Sequence, residues 1–163
     1  MKILHVDSGR EWRGGQAQVL YLMEGLAARG HEQELVAWPD GPLADRARAL
    51  KFRVEGVPVR GDLDVAAILA IAGRARRTGA TVIHAHTAHA HAAAMAAAKL
   101  AQVRGRVVTR RVVLPVGGNL WSRAKYRDAT IRYVAISEAV AEALVQGGVD
   151  PDRIRVVYSG IPS

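Results

Sequence analysis

A doubly wound α/β fold, a Rossmann-like three-layer sandwich built on one parallel sheet, is predicted by three features of this sequence. Short segments that are apolar on both faces recur along the chain, as strands buried from both sides require. Amphipathic stretches of helical length separate them. The 163 residues, 50% hydrophobic and 23% charged, fit a single soluble domain and exclude disorder or a collagen-like repeat.

The elements follow in order. Ile3 to Val6 reads as a buried strand, and the loop Ser8 to Gly15 leads into a helix over Gln16 to Arg29 with Val19, Leu20, Leu22, Met23 and Leu26 on its apolar face. Gly30 ends that helix. Leu35 to Trp38 forms the second strand, stopped by Pro39. A helix over Leu43 to Leu50, a strand over Val54 to Val59 and a helix over Val65 to Thr78 come next. Thr81 to His86 is a strand, Ala88 to Gln102 an alanine-rich helix and Arg106 to Thr109 a fifth strand. An irregular segment, Val112 to Leu120, precedes a helix near Ser122 to Asp128 and the strand Tyr133 to Ile136. Ser137 caps a helix to Gln146, Gly147 and Gly148 end it, and Ile154 to Tyr158 is the last strand. Ligands of such folds bind beyond the carboxyl ends of the strands, so the residues after Val6, Trp38, His86, Thr109, Ile136 and Tyr158 are the ones to inspect.

Composition narrows the chemistry. The absence of cysteine excludes disulfides, thiolate catalysis and cysteine-held metal centres. Of the formal charge of +8, almost all sits between Arg74 and Arg132, where 12 basic residues face the single acid Asp128. Arginine predominates there, and its planar fork suits phosphate or carboxylate, so an anionic partner is expected on that side. The amino-terminal apolar run is too short for a signal peptide, and the alanine-rich stretch broken by histidines cannot span a bilayer, so a cytoplasmic location is expected.

Three loops offer chemistry. Gly14-Gly15-Gln16 opens the first helix, where glycines allow backbone amides to approach a phosphate. The spacing matches neither the dinucleotide fingerprint nor a Walker loop, and a plain turn into a helix is the competing reading. His84, His86, His89 and His91 raise the question of a metal. His89 and His91 diverge by about 200° of helical rotation, and no nearby Cys, Asp or Glu completes a ligand set, so no metal site is expected. His84 is expected to be packed in the domain, while for His86 a hydrogen bond to a ligand and a structural role stay open. After the fifth strand, Thr109-Arg110-Arg111 puts two guanidinium groups at the functional edge, either to hold a phosphate or as a solvated pair.

The ordered set of motifs resembles the amino-terminal half of a GT-B fold glycosyltransferase of glycosyltransferase family 4. The resemblance is carried by Met1-Lys-Ile-Leu-His-Val6, by Gly14-Gly15-Gln16 leading to Gly25 through Glu32, and by Val82-Ile-His-Ala-His86. It continues through Val108 to Val112, Pro115, Asn119, Leu120, Lys125 and Tyr126, then Val134 to Glu138, Gly148 to Val156 and Tyr158 to Ile161. It implies two Rossmann-like domains facing each other across a cleft. It implies that this chain, residues 1–163, is the acceptor-side domain and that the carboxyl-terminal donor-binding domain is absent from it. It further implies that Gly14, Gly15 and Gln16 approach the diphosphate of a nucleotide-diphosphate sugar, and that His86, Thr109, Arg110 and Arg111 shape the acceptor side. No cofactor or divalent metal is implied.

The function expected is one half of a retaining transferase that moves a sugar to an envelope, lipid-linked or small-molecule acceptor, inactive alone. The alternative is a non-catalytic, stand-alone Rossmann-like module that docks on an anionic partner or on a separate donor-binding chain. A dinucleotide-dependent oxidoreductase lacks its glycine fingerprint, and nucleic-acid binding lacks a reading module. Trp121, Arg123, Lys125 and Arg127 are expected to touch an anionic membrane surface, as charge and an interfacial tryptophan reinforce each other there.

Overall fold

A computed structural model of the chain describes residues 1–113 and 126–160. The described elements are β1 (Lys2–Val6), α1 (Gly14–Ala27), β2 (Glu32–Ala37), α2 (Pro42–Ala49), β3 (Arg53–Gly56), α3 (Val65–Thr78), β4 (Val82–Ala85), α4 (Ala88–Leu100), β5 (Gly105–Arg110), β6 (Arg132–Ala135), α5 (Glu138–Gln146) and β7 (Ile154–Val156). The seven strands form one sheet in the order β3-β2-β1-β4-β5-β6-β7, and every neighbouring pair is parallel.

Helix boundaries follow local chemistry. The Asp64 carboxylate accepts from the Ala67 amide at 3.0 Å and starts α3, while Gly79 ends it in the left-handed conformation at φ 63°. Ser137 Oγ accepts from the Val140 amide at 3.3 Å and starts α5. Two strand ends differ from the sequence reading by three residues, the others by two at most. β2 begins at Glu32, three residues before its apolar part, because Glu32, Gln33 and Glu34 pair with β1 at the solvent-facing end of the sheet. β3 ends at Gly56, just before the segment containing Pro58, which has no amide hydrogen for a ladder. The expected helix near Ser122 to Asp128 begins outside the described residues, and of it Tyr126 and Arg127 are seen as helical.

Side-chain alternation sorts the sheet into two faces. Leu4, Val6, Val36, Ile83, Ala85 and Val108 join a core with Ile71, Ala75, Ala94 and Ala98 of α3 and α4. Alanines on α4 let that helix settle close to the strands, and five of them, Ala90, Ala93, Ala94, Ala97 and Ala98, are buried. Leu35 and Ala37 pack on the opposite face against Val19, Leu20 and Met23 of α1 and Leu43, Ala44 and Ala47 of α2. His5 pairs with Leu35 and with His84 in register, so both histidines project from that second face. Among the described residues no helix is long and apolar enough to cross a membrane.

Candidate functional site

The strand order reverses between β1 and β4, and the chain leaves both strands at the same edge of the sheet. In this class of fold such a switch point opens a crevice. The loop after β1 is tied to the end of β4 by Ser8, whose amide donates to Thr87 Oγ1 at 3.2 Å and whose hydroxyl pairs with the same oxygen at 2.6 Å. Asp7 anchors that loop from inside, its Oδ1 accepting from the Gly9 amide at 2.7 Å and from Gln16 Nε2 at 3.3 Å. Gly9 is required by space, since a Cβ there would stand 2.4 Å from Gln16 Nε2 and 2.9 Å from Asp7 Oδ1.

A cleft of about 410 Å³ lies at this edge, lined by Gly15, Gln16, His86, Thr109, Arg110 and Arg111 among others. The first loop and the ends of β4 and β5 thus meet in one place. Gly14 does not line it and stays exposed at the first position of α1. A larger hollow of about 570 Å³ lies at the opposite end of the strands, among Lys2, Glu34, Arg53 and Arg74. Lys2, Arg53 and Arg74 there are paired with Glu32 and Glu34, as in the 2.6 Å contact of Arg74 Nε with Glu34, and the hollow is remote from the switch point. The smaller cleft is therefore the candidate site.

The two adjacent arginines part company where β5 ends, Arg110 being its last residue and Arg111 the first beyond it. Arg111 turns toward α1, donating to the His86 backbone oxygen at 3.2 Å and passing over Gly15, whose Cβ position is 3.5 Å from Arg111 Cδ. Arg110 donates to the Tyr126 hydroxyl and holds its guanidinium 5.5 Å from that ring's centroid. Tyr126 in turn stacks with Tyr133 at 5.7 Å and meets His91 edge-on at 5.1 Å.

Electrostatics follow from burial. Asp7 is pushed above the usual carboxylate range by desolvation, against the opposing pull of the Gly9 amide, Gln16 and the Arg111 charge. Burial lowers the affinity of Arg111 for its proton, and the Asp7 charge restores part of it. His84 and His86 are held well below 6.5, chiefly by desolvation, and His5 is pushed down to about 4 for the same reason. All three imidazoles are therefore neutral near pH 7.

Of the four histidines singled out in the sequence, the structure brings together two. His84 Nε2 pairs with Thr109 Oγ1 at 2.7 Å, and its ring lies 4.1 Å from that of His86. His89 is exposed and pairs with Asp62 at 3.0 Å, while His91 is buried beside the two tyrosines. The sequence reading missed His5, which joins His84 and His86 so that one nitrogen from each lies within 4.8 Å of the others. A metal ion in that trio would have to displace the hydrogen shared by His5 Nδ1 and His86 Nε2, which are 3.0 Å apart. The set is already hydrogen-bonded, His5 to His86 and His84 to Thr109. A histidine in the middle of the apolar run Ile3 to Val6 was the available signal, as was the acid Asp7 directly after that strand. Trp121, Arg123 and Lys125 lie outside the described residues, and Arg127 is exposed.

The model of Glycosyltransferase Family 4 matches residues 12–163. No curated protein sequence matches the chain. Among solved structures, a glycosyltransferase from Rickettsia africae superposes with a TM-score of 0.80 at 16% identity, covering 98% of this chain and 43% of that one. HepE of Anabaena in complex with UDP gives 0.79 at 20% identity, covering 99% and 44%. The lipopolysaccharide outer core galactosyltransferase WaaB gives 0.72 at 13% identity, covering 97% and 45%. This chain spans less than half the length of the structures it matches.

Proposed function

We propose, from the premise that this chain belongs to glycosyltransferase family 4 and folds as the amino-terminal half of a GT-B enzyme, that it forms the acceptor-side wall of a sugar-transfer site. The observation that carries the reading is the convergence of Gly15, Gln16, His86, Thr109 and Arg111 on one cleft at the sheet's switch point. The first turn of α1 has no side-chain cap, and with the Gln16 and Ala17 amides bonded to the Arg13 backbone oxygen it is the Gly14 and Gly15 amides that an approaching anion would meet. Arg111 adds a fixed positive charge beside them.

The donor in this reading is a nucleotide-diphosphate sugar. HepE has been solved with UDP and with UDP-glucose, which supports that class. Retention at the transferred carbon and an envelope, lipid-linked or small-molecule acceptor follow from the family resemblance. Contact with an anionic membrane through the segment containing Arg123, Lys125 and Arg127 fits a lipid-linked acceptor and a cytoplasmic, peripheral location. The test uses the whole product of the gene with a panel of nucleotide sugars, measuring sugar transfer and donor hydrolysis. Turnover of at least one donor supports the reading, and none across the panel, in a protein shown to be folded, overturns it.

A further inference from the structure

We infer that Gln33, acting through His5, is a positioning residue that fixes the tautomer of His86 and makes His86 Nδ1 an acceptor of hydrogen bonds only. The argument begins at a backbone carbonyl. Met23 O can only accept, so the Gln33 atom 2.8 Å from it is the amide nitrogen, and the other amide atom is the oxygen. That oxygen lies 3.0 Å from His5 Nε2 and can only accept in its turn, so His5 carries its proton on Nε2. His5 is wholly buried on the α1 face of β1 and neutral, which leaves Nδ1 as a bare lone pair. His86 Nε2 lies 3.0 Å from that lone pair and must therefore donate to it. His86, also buried and neutral, has one ring proton, and this bond uses it.

What remains is His86 Nδ1, a lone pair buried with no hydrogen-bond partner among the described residues. A buried polar atom in that state has given up its hydrogen bond to water with nothing in return, so a ligand group that bonds to it is favoured. His86 is 4% exposed, and it lines the cleft beside Thr109 and Arg111. The cleft thus sorts polar atoms. Arg111 and the amides of Gly14 and Gly15 donate to an anionic or carbonyl oxygen, whereas His86 Nδ1 repels such an oxygen and rewards a donor. A ligand carrying both a hydroxyl group and an acceptor oxygen, as a sugar ester of phosphate does, meets both demands. Assigning that hydroxyl to a sugar rests on the glycosyl-transfer reading, but the tautomer does not.

The low proton affinity of His86 also separates this role from general-base catalysis. A group that stays neutral through pH 6.5 orients a hydroxyl without collecting its proton, so the relay has no need of a group that titrates near neutrality.

Imidazole nitrogen NMR of the 15N-labelled 163-residue chain tests the relay without any substrate. The expected spectrum shows His86 as a single tautomer, protonated at Nε2, and His5 likewise protonated at Nε2. Replacing Gln33→Met removes the acceptor that pins His5, and His5→Phe removes the acceptor for His86. Each variant is expected to turn His86 into a mixture of two tautomers. The wild-type spectrum alone overturns the inference if His86 carries its proton on Nδ1 or averages between the two forms. An unchanged His86 pattern in folded Gln33→Met overturns it as well. If the relay stands while the whole gene product transfers no sugar, the functional reading falls and the relay remains.

Discussion

Arg111 donates from its guanidinium to the backbone oxygen of His86 at 3.2 Å, so the residue leaving β5 is tied to the residue leaving β4. The same side chain covers Gly15 and lends its charge to the buried Asp7. One arginine thereby joins three loops, and its removal acts on stability and on the cleft together. We expect Arg111→Ala to lower unfolding stability by about 1–3 kcal/mol, the usual cost of stranding buried polar partners. Arg111→Lys returns the charge without the planar fork, and should regain part of that stability but not the binding of an anionic ligand. Urea unfolding and nucleotide titration of both variants check this. Identical behaviour of the two in both assays contradicts it.

Gly9 offers a sharper steric test. Its missing side chain leaves room for Gln16 Nε2, so Gly9→Ala forces Gln16 or Asp7 out of the position that closes the first loop. Overpacking of this kind costs about 1–3 kcal/mol. Shortening Gln16→Ala in the same chain should recover much of that loss. Gly105→Ala is a useful contrast, since its Cβ would stand 2.7 Å from the Thr81 backbone oxygen, which cannot swing aside, and no second side-chain change should rescue it. Thermal unfolding of the two single variants and the double variant measures the difference.

How much of this was legible beforehand depended on whether information was local. The strand-helix alternation is written in hydrophobic period, and all seven expected strands are present. Thr109 and Arg111 could be placed at the functional edge because they follow an apolar run. The divergence of Arg110 from Arg111 falls where β5 ends, and its consequence depended on Tyr126 being where it is, a contact 16 residues away. The His5–His86 pair, 81 residues apart, could not be read at all without the register of β1 on β4. Gln33 gave even less warning, because a polar residue at a strand's beginning is ordinary until its amide is seen bonded at both ends.

The basic segment supplies a prediction about surfaces. Arg127 is exposed, and Arg123 and Lys125 precede it closely in a region with little opposing charge. Each basic residue near an anionic bilayer contributes about 1 kcal/mol. Reversing all three to glutamate is therefore expected to weaken vesicle binding by at least about a hundredfold at low salt. Co-sedimentation with vesicles rich in phosphatidylserine measures this. Equal binding to neutral vesicles, or none by the unaltered chain, counts against a membrane role.

Acid sensitivity should come from the imidazole trio. An unfolded histidine titrates near 6.5, while burial holds His5 at about 4 and pushes His84 and His86 in the same direction. The unfolded chain therefore takes up these protons first, so their contribution is fully present above about pH 6.5 and is lost as the pH falls toward the folded values. Asp7 works with the opposite sign, since its raised value means that the folded state holds a proton the unfolded state has released. Its penalty near neutrality is relieved on acidification, and Asp7→Asn should make the acid loss steeper. For His5 alone the loss between pH 7 and pH 5 amounts to about 2 kcal/mol. Urea unfolding at the two pH values should show His5→Phe with a smaller difference than the unaltered chain by about that amount, whatever its absolute stability. An unchanged difference would mean that His5 is not the neutral, buried imidazole on which the acid response depends.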